Sequence, residues 1–131
     1  MIEGPKVLVL VADDNEGIRN TTAAILTAVG CSVTEAQDGE EALAELSQTP
    51  FDVVLLDVRM PKLDGISVVT DLRPEPPPPR IIMVSAYDFG VELRQLLGDR
   101  VFRYLKKPVP PRELIRTVSA ACDRILIPQT K

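Results

Sequence analysis

The chain has 131 residues, the size of one compact domain, and 45% of them are hydrophobic and 26% charged, as in a soluble globular protein. Its 15 Lys and Arg residues stand against 19 Asp and Glu residues, and the net charge of -4 disfavours direct binding to nucleic acid. The absence of histidine excludes every mechanism that needs an imidazole on this chain. Two cysteines, Cys31 and Cys122, are too few for a zinc cluster or a disulfide framework, and we expect both to be buried thiols.

The first predicted strand is the apolar run of residues 7–12, which two acidic residues follow at once. Such a run is typical of a parallel strand that is buried on both faces. Six residues are too few for a signal sequence or a membrane span, so we expect a cytoplasmic protein with no membrane contact. Apolar residues at helical spacing then predict a first helix, which Gly30 ends. They are Ile18, Thr22, Ile25, Leu26 and Val29.

Strand and helix patterns alternate along the rest of the chain. Further strands are predicted over residues 31–35, 53–56, 81–84 and 101–105. A second helix opens at Asp38, a fourth covers residues 91–97, and a fifth begins near Pro110 and Pro111. The β-branched run 66–72 favours a strand by propensity, but the alternation favours a third helix. The buried face predicted for the fifth helix consists of Leu114, Ile115, Val118, Cys122 and Ile125.

Five strands alternating with five helices predict an α/β fold with a parallel sheet covered on both faces. In such sheets ligands bind outside the carboxyl ends of the strands. Four of these ends carry polar residues, namely Asp13 with Asp14, Asp57, Ser85 and Lys107. We therefore expect these side chains to converge on one site.

The converging residues favour magnesium and phosphate chemistry. Three carboxylates within a few ångströms repel one another unless one is protonated or a cation neutralises them. An all-oxygen set suits Mg²⁺, and Mg²⁺ together with Lys107 brings the formal charge to zero. A carboxylate can attack phosphorus to form an aspartyl phosphate, and the hydroxyl of Ser85 could donate to the phosphoryl group.

Each of these residues alone has an ordinary structural explanation. Asp13 and Asp14 could serve as the cap and first-turn charges of a helix, and Asp57 could be a turn residue. Lysines such as Lys107 and its neighbour Lys106 are usually solvated surface charges. Only the combination at the strand ends makes these residues functional candidates.

Four motifs, in order and suitably spaced, resemble the response-regulator receiver domain, and the resemblance extends from residue 6 to about residue 125. They are Ala12-Asp13-Asp14-Asn15, Leu55-Leu56-Asp57-Val58-Arg59-Met60-Pro61-Lys62-Leu63-Asp64-Gly65, Val84-Ser85-Ala86 and Tyr104-Leu105-Lys106-Lys107-Pro108. The resemblance implies a single receiver domain over residues 1–131 with a core of about 6–125. It also implies a doubly wound sheet in the flavodoxin-like strand order 2-1-3-4-5.

The resemblance also implies roles for individual residues. Asp57 would be the phosphoacceptor, and Lys107 would contact the phosphoryl group. The Mg²⁺ ligands would be Asp13, Asp14, Asp57 and the backbone carbonyl of Arg59. Ser85 and Tyr104 would form the switch pair, with Tyr104 moving from an exposed to a buried position. The bond between Lys107 and Pro108 would be cis.

By resemblance, then, the chain is a phosphorylation-dependent switch and not an enzyme. A histidine kinase or phosphotransfer protein would supply the phosphoryl group, and the surface over residues 91–125 would change for an output partner. The sequence holds no effector domain, so that domain is either absent or part of a longer protein.

Two other functions are compatible with parts of the pattern. A Mg²⁺-dependent phosphohydrolase of the haloacid-dehalogenase type has an aspartyl nucleophile, but it needs a second Asp where this chain has Arg59. A flavodoxin-like cofactor binder needs hydroxyl and glycine donors where this chain has Asp13 and Asp14.

Three loops also give predictions. In the loop after the third strand, Gly65 is expected to allow an unusual backbone angle. Arg59 and Tyr87 are bulky residues that would flank the mouth of the pocket. The segment 74–79, with five prolines, is expected to be an extended polyproline arm on the surface.

Overall fold

The computed structural model describes residues 6–73 and 77–129. The strands are β1 (Val7–Ala12), β2 (Cys31–Ala36), β3 (Val53–Asp57), β4 (Arg80–Ser85) and β5 (Arg103–Lys106). The helices are α1 (Glu16–Ala28), α2 (Gly39–Gln48), α3 (Gly65–Asp71), α4 (Val91–Leu97) and α5 (Pro111–Cys122). A single 3-10 turn, Gly98–Arg100, follows α4. The predicted alternation is confirmed, including the helix in place of a strand after Gly65.

The five strands form one parallel sheet in the order β2-β1-β3-β4-β5. The register pairs Ala12 with both Ala36 and Leu56, and it pairs Asp57 with Val84. The carboxyl ends of the three central strands are therefore level at one edge of the sheet. The predicted doubly wound order 2-1-3-4-5 is confirmed.

Two apolar clusters cover the two faces of the sheet, because alternate residues of each buried strand point to opposite sides. One cluster packs the strands against α1 and α5 around Val9, Leu26 and Val118. The other packs them against α2, α3 and α4 around Leu10, Val68 and Leu97. Burial on both faces explains why the central strands are continuous apolar runs in the sequence.

Side-chain caps fix where three of the helices begin. The side chains of Asn15, Asp38 and Asp64 accept hydrogen bonds from backbone N–H groups three residues later, at 2.8 to 2.9 Å. Such caps satisfy N–H groups that the first turn of a helix leaves unpaired. The fifth helix begins instead at Pro111, whose missing N–H would have been unpaired in any case.

Several boundaries and burials differ from the sequence predictions. The fifth strand begins at Arg103 rather than residue 101, because the 3-10 turn ends only at Arg100 and residues 101 and 102 connect the two elements. Ile125 is 91% exposed, since α5 ends at Cys122 and Asp123 adopts a left-handed conformation. Cys31 is buried, whereas Cys122 is only half-buried. Ile18 is 42% exposed at the start of α1.

The proline-rich arm is only partly within the described residues. Residues 74–76 lie outside them, while Pro77 and Pro78 are exposed and Pro79 is half-buried. Among the helices that the structure describes, none is both long and apolar enough to cross a membrane.

Candidate functional site

Two neighbouring central strands bring the acidic residues together. The register places Ala12 of β1 beside Leu56 of β3, so the residues that follow, Asp13 and Asp57, lie next to each other. Asp13 and Asp57 are 5% and 6% exposed, and Asp14 faces solvent. One carboxylate oxygen from each of the three acids lies within 4.8 Å of the others. The three acidic residues therefore converge, as the sequence predicts.

The acidic cluster fits a hard divalent cation. Its side chains offer only carboxylate oxygens, which are ligands that Mg²⁺ prefers, and one of them, Asp14, is open to solvent. Mg²⁺ usually retains several waters when it binds to protein carboxylates, and an open side of the cluster leaves space for them. The pocket is therefore compatible with Mg²⁺.

The side chain of Lys107 joins two of the carboxylates. Its Nζ donates to Asp13 Oδ2 at 2.9 Å and to Asp57 Oδ2 at 3.1 Å. The bond between Lys107 and Pro108 is cis, as predicted. The adjacent Lys106 instead forms an exposed ion pair with Asp88 at 2.8 Å. Of these two lysines, therefore, only Lys107 contacts the acidic cluster.

The protonation of the pocket reflects burial and these charges. Burial raises the pKa of the Asp57 carboxyl above its ordinary value; the hydrogen bond from Lys107 opposes this rise, and the charge of Asp13 adds to it. For Lys107, burial lowers the pKa, but the hydrogen bonds to Asp13 and Asp57 outweigh it and the net shift is upward. The ammonium is therefore held in its charged form beside a carboxylate whose charge is costly.

The backbone around Asp13 is held by a residue that the sequence reasoning missed. Arg19 of α1 donates from Nη1 to the carbonyl oxygen of Asp13 at 3.0 Å and from Nε to Glu35 at 3.1 Å. The N–H of Asn15 donates to Asp13 Oδ1 at 2.9 Å. Arg19 lies six residues after Asp13, and only the folded β1–α1 connection brings the two together.

The loop after β3 folds back against Asp57. Gly65 donates its N–H to the carbonyl of Val58 at 2.9 Å, and a Cβ at Gly65 would collide with the carbonyl oxygen of Asp57. The prediction of an unusual backbone angle at Gly65 is wrong. The residue of this loop with a left-handed backbone conformation is Lys62, with a φ of 69°. Glycine is needed at position 65 for close approach, not for an unusual φ.

The two bulky residues expected at the pocket mouth contact each other. The Arg59 guanidinium carbon lies 4.3 Å from the centre of the Tyr87 ring. The N–H of Arg59 donates to Asp57 Oδ1 at 3.3 Å, and the N–H of Tyr87 donates to Ser85 Oγ at 3.1 Å. Since the Ser85 oxygen acts as an acceptor in that bond, its own proton is free to be donated elsewhere.

Ser85 and Tyr104 lie on the same face of the sheet. Tyr104 pairs with Met83, and Ser85 follows Met83 by two residues, which returns it to the same side. The exposed starting position expected for Tyr104 differs from the structure, which has the ring half-buried and the hydroxyl shielded from solvent. Contacts with Phe89 and Arg94, which the sequence pattern did not reveal, hold the ring there.

An apolar cleft continues the acidic pocket between α1 and the start of α5. The combined cavity has a volume of about 800 Å³ and includes the side chains of Asp13, Asp57 and Lys107 at one end. Ile18 and Leu114 line its apolar part. The exposure of Ile18 is thus explained, because this residue borders an open cleft rather than the closed core.

Comparisons with known proteins agree with the fold. The family model for the response regulator receiver domain matches residues 9–119. The gliding motility regulatory protein of Myxococcus xanthus is 43% identical over 123 residues, which are 92% of this chain and 15% of that protein. The chain spans about half or less of the length of such curated relatives.

Solved structures give the same result. The receiver domain of the Francisella response regulator 1452 superposes with a TM-score of 0.81 at 34% identity, covering 90% of this chain and 98% of that one. A complex of CheX and CheY with BeF3 and Mg²⁺ from Borrelia burgdorferi matches with a TM-score of 0.76 at 28% identity, covering 86% and 87%. From its family match, its relatives and its fold, the chain belongs to the response regulator receiver domain family of two-component signalling.

Proposed function

We propose that this chain is a phosphorylation-controlled switch that accepts a phosphoryl group on Asp57 from a partner histidine kinase or phosphotransfer protein. The observation that carries the proposal is the pair of hydrogen bonds from Lys107 Nζ to Asp13 and Asp57 at the carboxyl edge of the sheet. A buried carboxylate beside a fixed ammonium is suited to receive a phosphoryl group, because the ammonium can stabilise the charge on the transferring oxygens.

The proposed step is a transfer from phosphohistidine. A carboxylate oxygen of Asp57 attacks phosphorus, the new O–P bond forms as the P–N bond breaks, and the leaving imidazole takes up a proton from water. Lys107 stays within reach of the phosphoryl oxygens, and the free hydroxyl proton of Ser85 can be donated to them. Asp13 positions the ammonium from its other side.

We propose Mg²⁺ as the cofactor of this step. Asp13, Asp14 and Asp57 would hold it together with the backbone carbonyl of Arg59, the last by family resemblance. When bound, Mg²⁺ supplies positive charge that neutralises the carboxylates and the phosphoryl oxygens. The presence of Mg²⁺ in the related CheX and CheY complex supports this assignment.

The chain would act as one receiver domain over residues 1–131, with its core at about 6–125, and its only chemistry would be on its own Asp57. The output would be a downstream protein or an effector domain elsewhere in a longer protein.

The net charge of -4 argues against direct contact with nucleic acid. A cytoplasmic location is part of the proposal, since Cys31 and Cys122 are free thiols and reducing compartments keep thiols free.

The output surface would be α4, β5 and α5. Phosphorylation adds negative charge and acceptor oxygens at Asp57, and Ser85 lies on the same sheet face as Tyr104. A change at Ser85 would therefore be passed to Tyr104 and to α4 above it. NMR shifts across residues 91–125 should change on phosphorylation, and shifts confined to the pocket would contradict this part of the proposal.

Intact-mass spectrometry with acetyl phosphate and Mg²⁺ tests the phosphoacceptor. The wild type should gain the mass of one phosphoryl group, whereas Asp57→Asn should not, while its circular dichroism stays that of the folded chain. Asp99→Asn, at an exposed position outside the pocket, is the control and should be labelled like the wild type. Stoichiometric labelling of Asp57→Asn would move the acceptor to another residue.

A phosphohydrolase with an aspartyl nucleophile would need a second acidic residue two positions after Asp57, and this chain has none there. The residue two positions after Asp57 is Arg59, whose guanidinium stacks on Tyr87 and whose N–H donates to Asp57. Neither group can act as the carboxylic acid that such an enzyme needs. Steady turnover of small phosphate esters by the purified chain would revive this alternative.

A further inference from the structure

A cluster of two aromatic rings and one guanidinium lies between α4 and β5. The ring of Tyr104 meets the ring of Phe89 edge to face, with centroids 4.9 Å apart and planes at 61°. The guanidinium carbon of Arg94 lies 4.5 Å from the centre of the Tyr104 ring and 5.9 Å from that of Phe89. We call Phe89 and Arg94 the tyrosine clamp, because both contact the ring of Tyr104.

The hydroxyl of Tyr104 is buried without a partner. It is shielded from solvent, and no group in the described part of the chain accepts or donates a hydrogen bond to it. A buried tyrosine usually finds a partner for its hydroxyl, and leaving a buried polar group unpaired costs free energy. Burial also raises the pKa of this hydroxyl. The inward position of Tyr104 must therefore be stabilised by contacts of its ring.

The clamp is well placed to supply that stabilisation. An edge-to-face aromatic pair and a cation over an aromatic face are both attractive, although the second is weaker at an exposed residue such as Arg94 than at a shielded one. Among the residues that the structure describes, Arg94 has its ring contacts but no ion pair with an acidic side chain. Its charge is thus available to the Tyr104 ring.

The fourth helix has few other anchors. It has seven residues, its N-cap Gly90 makes no side-chain cap, and Leu97 is its one fully buried residue. Val91 and Leu96 are 68% and 63% exposed. An element with so few buried contacts opens or shifts easily. The contact of Arg94 with Tyr104 is therefore an important link between α4 and β5.

We propose that Arg94 is a positioning residue of the switch, whose guanidinium holds Tyr104 inward before any phosphoryl group is added. This proposal rests on the proposed function, because it takes Tyr104 to be a residue of the phosphorylation switch. It adds that the position of α4 and the position of Tyr104 are coupled through Arg94. Because coupling between two sites is reciprocal, a partner that draws Arg94 away from the ring would release Tyr104.

The two tyrosines of the chain and its lack of tryptophan allow a direct test. The variant Tyr87→Phe keeps the ring under Arg59 and leaves Tyr104 as the one tyrosine fluorophore. In this parent, acrylamide quenching of tyrosine fluorescence measures how accessible Tyr104 is. The variants to compare are Arg94→Ala, Arg94→Lys and, as a control on α5, Arg112→Ala, with circular dichroism to verify that each is folded.

Without a phosphodonor, Arg94→Ala should raise the quenching constant at least twofold. Arg94→Lys should give a smaller rise, since an ammonium can also lie over an aromatic face, and Arg112→Ala should leave quenching unchanged. Equal quenching in the parent and in Arg94→Ala would overturn the proposal. An equal rise in Arg112→Ala would also overturn it, because the effect would then be a general one of lost surface charge.

A second measurement separates this proposal from the proposed function. Addition of acetyl phosphate and Mg²⁺ should lower quenching in Arg94→Ala and change it little in the parent, where Tyr104 is already held. If the phosphodonor changes quenching in neither protein while Arg94→Ala still exposes Tyr104, the role of the tyrosine clamp is supported and the phosphorylation switch is contradicted. If the phosphodonor exposes Tyr104 in the parent, the inward position is not the one that phosphorylation favours and the coupling proposed here is wrong.

Discussion

Lys107 Nζ donates a hydrogen bond of 3.1 Å to Asp57 Oδ2, although 50 residues separate the two in the chain. Each residue follows or ends a different strand, and the parallel sheet brings both strand ends to the same edge. The ammonium thereby partly neutralises an acidic cluster that also contains Asp13 and Asp14. A bound cation would add to this neutralisation.

Mg²⁺ should therefore stabilise the fold. At a free Mg²⁺ concentration ten times the dissociation constant, the free energy of unfolding should rise by about 1.4 kcal/mol, and Tm by roughly 4 °C. Asp14→Asn and Asp57→Asn should lose most of this increase, while the exposed Asp99→Asn should retain it. Thermal melts at several Mg²⁺ concentrations measure the effect, and an unchanged Tm in the wild type would contradict a magnesium site.

Without Mg²⁺, Asp57→Asn should be more stable than the wild type at pH 7. In the folded chain the pKa of the Asp57 carboxyl is raised above its ordinary 3.8, so the folded chain binds this proton more tightly than the unfolded chain does. The resulting stabilisation is complete below pH 3.8 and is lost as pH rises through the folded-state pKa. The advantage of the asparagine should consequently shrink as pH falls from 7 towards 4. Urea titrations at both pH values check this, and an advantage that grows towards acid pH would have the wrong sign.

Lys107→Ala should be far more disruptive than Lys106→Ala. Removing the Lys107 ammonium leaves two buried carboxylates facing each other, at a cost of roughly 2 to 3 kcal/mol in metal-free solution. Lys106 pairs only with the exposed Asp88, so its loss should change stability little. Denaturant unfolding of the two variants compares them, and equal losses would show that the pocket ion pairs are unimportant for stability.

Gly65→Ala should destabilise the chain by about 1 to 3 kcal/mol, because the added Cβ has no room beside the carbonyl oxygen of Asp57. Gly17→Ala is the matched control. Gly17 lies in the first turn of α1, where its Cβ would meet only the N-cap Asn15 Oδ1 at 3.4 Å, and alanine should stabilise by about 0.5 kcal/mol. Thermal melts distinguish the two, and a neutral Gly65→Ala would mean that the loop can move away from Asp57.

The sheet and the pocket could be predicted because both depend on local patterns. Buried parallel strands are continuous apolar runs, and each run that ends in a polar residue marks a strand end at the same edge. Asp13, Asp57 and Lys107 were identified in this way, and the structure brings all three together. The third helix followed from the alternation of elements and not from the propensity of its β-branched residues.

What could not be predicted depends on contacts between distant residues. The sequence predicts an unusual φ at Gly65, but glycine is required there because a Cβ would collide with the carbonyl oxygen of Asp57. The prediction that Ile125 is buried is wrong, because Asp123 takes a left-handed conformation that ends the helix before residue 125. The inward position of Tyr104 depends on Arg94 from a different element, and no spacing rule links those two residues.

Chemical trapping of the phosphorylated residue shows which carboxylate is the phosphoacceptor. The chain is incubated with acetyl phosphate and Mg²⁺, the acyl phosphate is reduced with borohydride, and the peptides are sequenced by mass spectrometry. Phosphorylation on Asp57 predicts that Asp57 is converted to homoserine and that Asp13 and Asp14 remain aspartate. Conversion at Asp13 or Asp14 in place of Asp57, or no conversion in a chain shown to be folded, would contradict phosphorylation on Asp57.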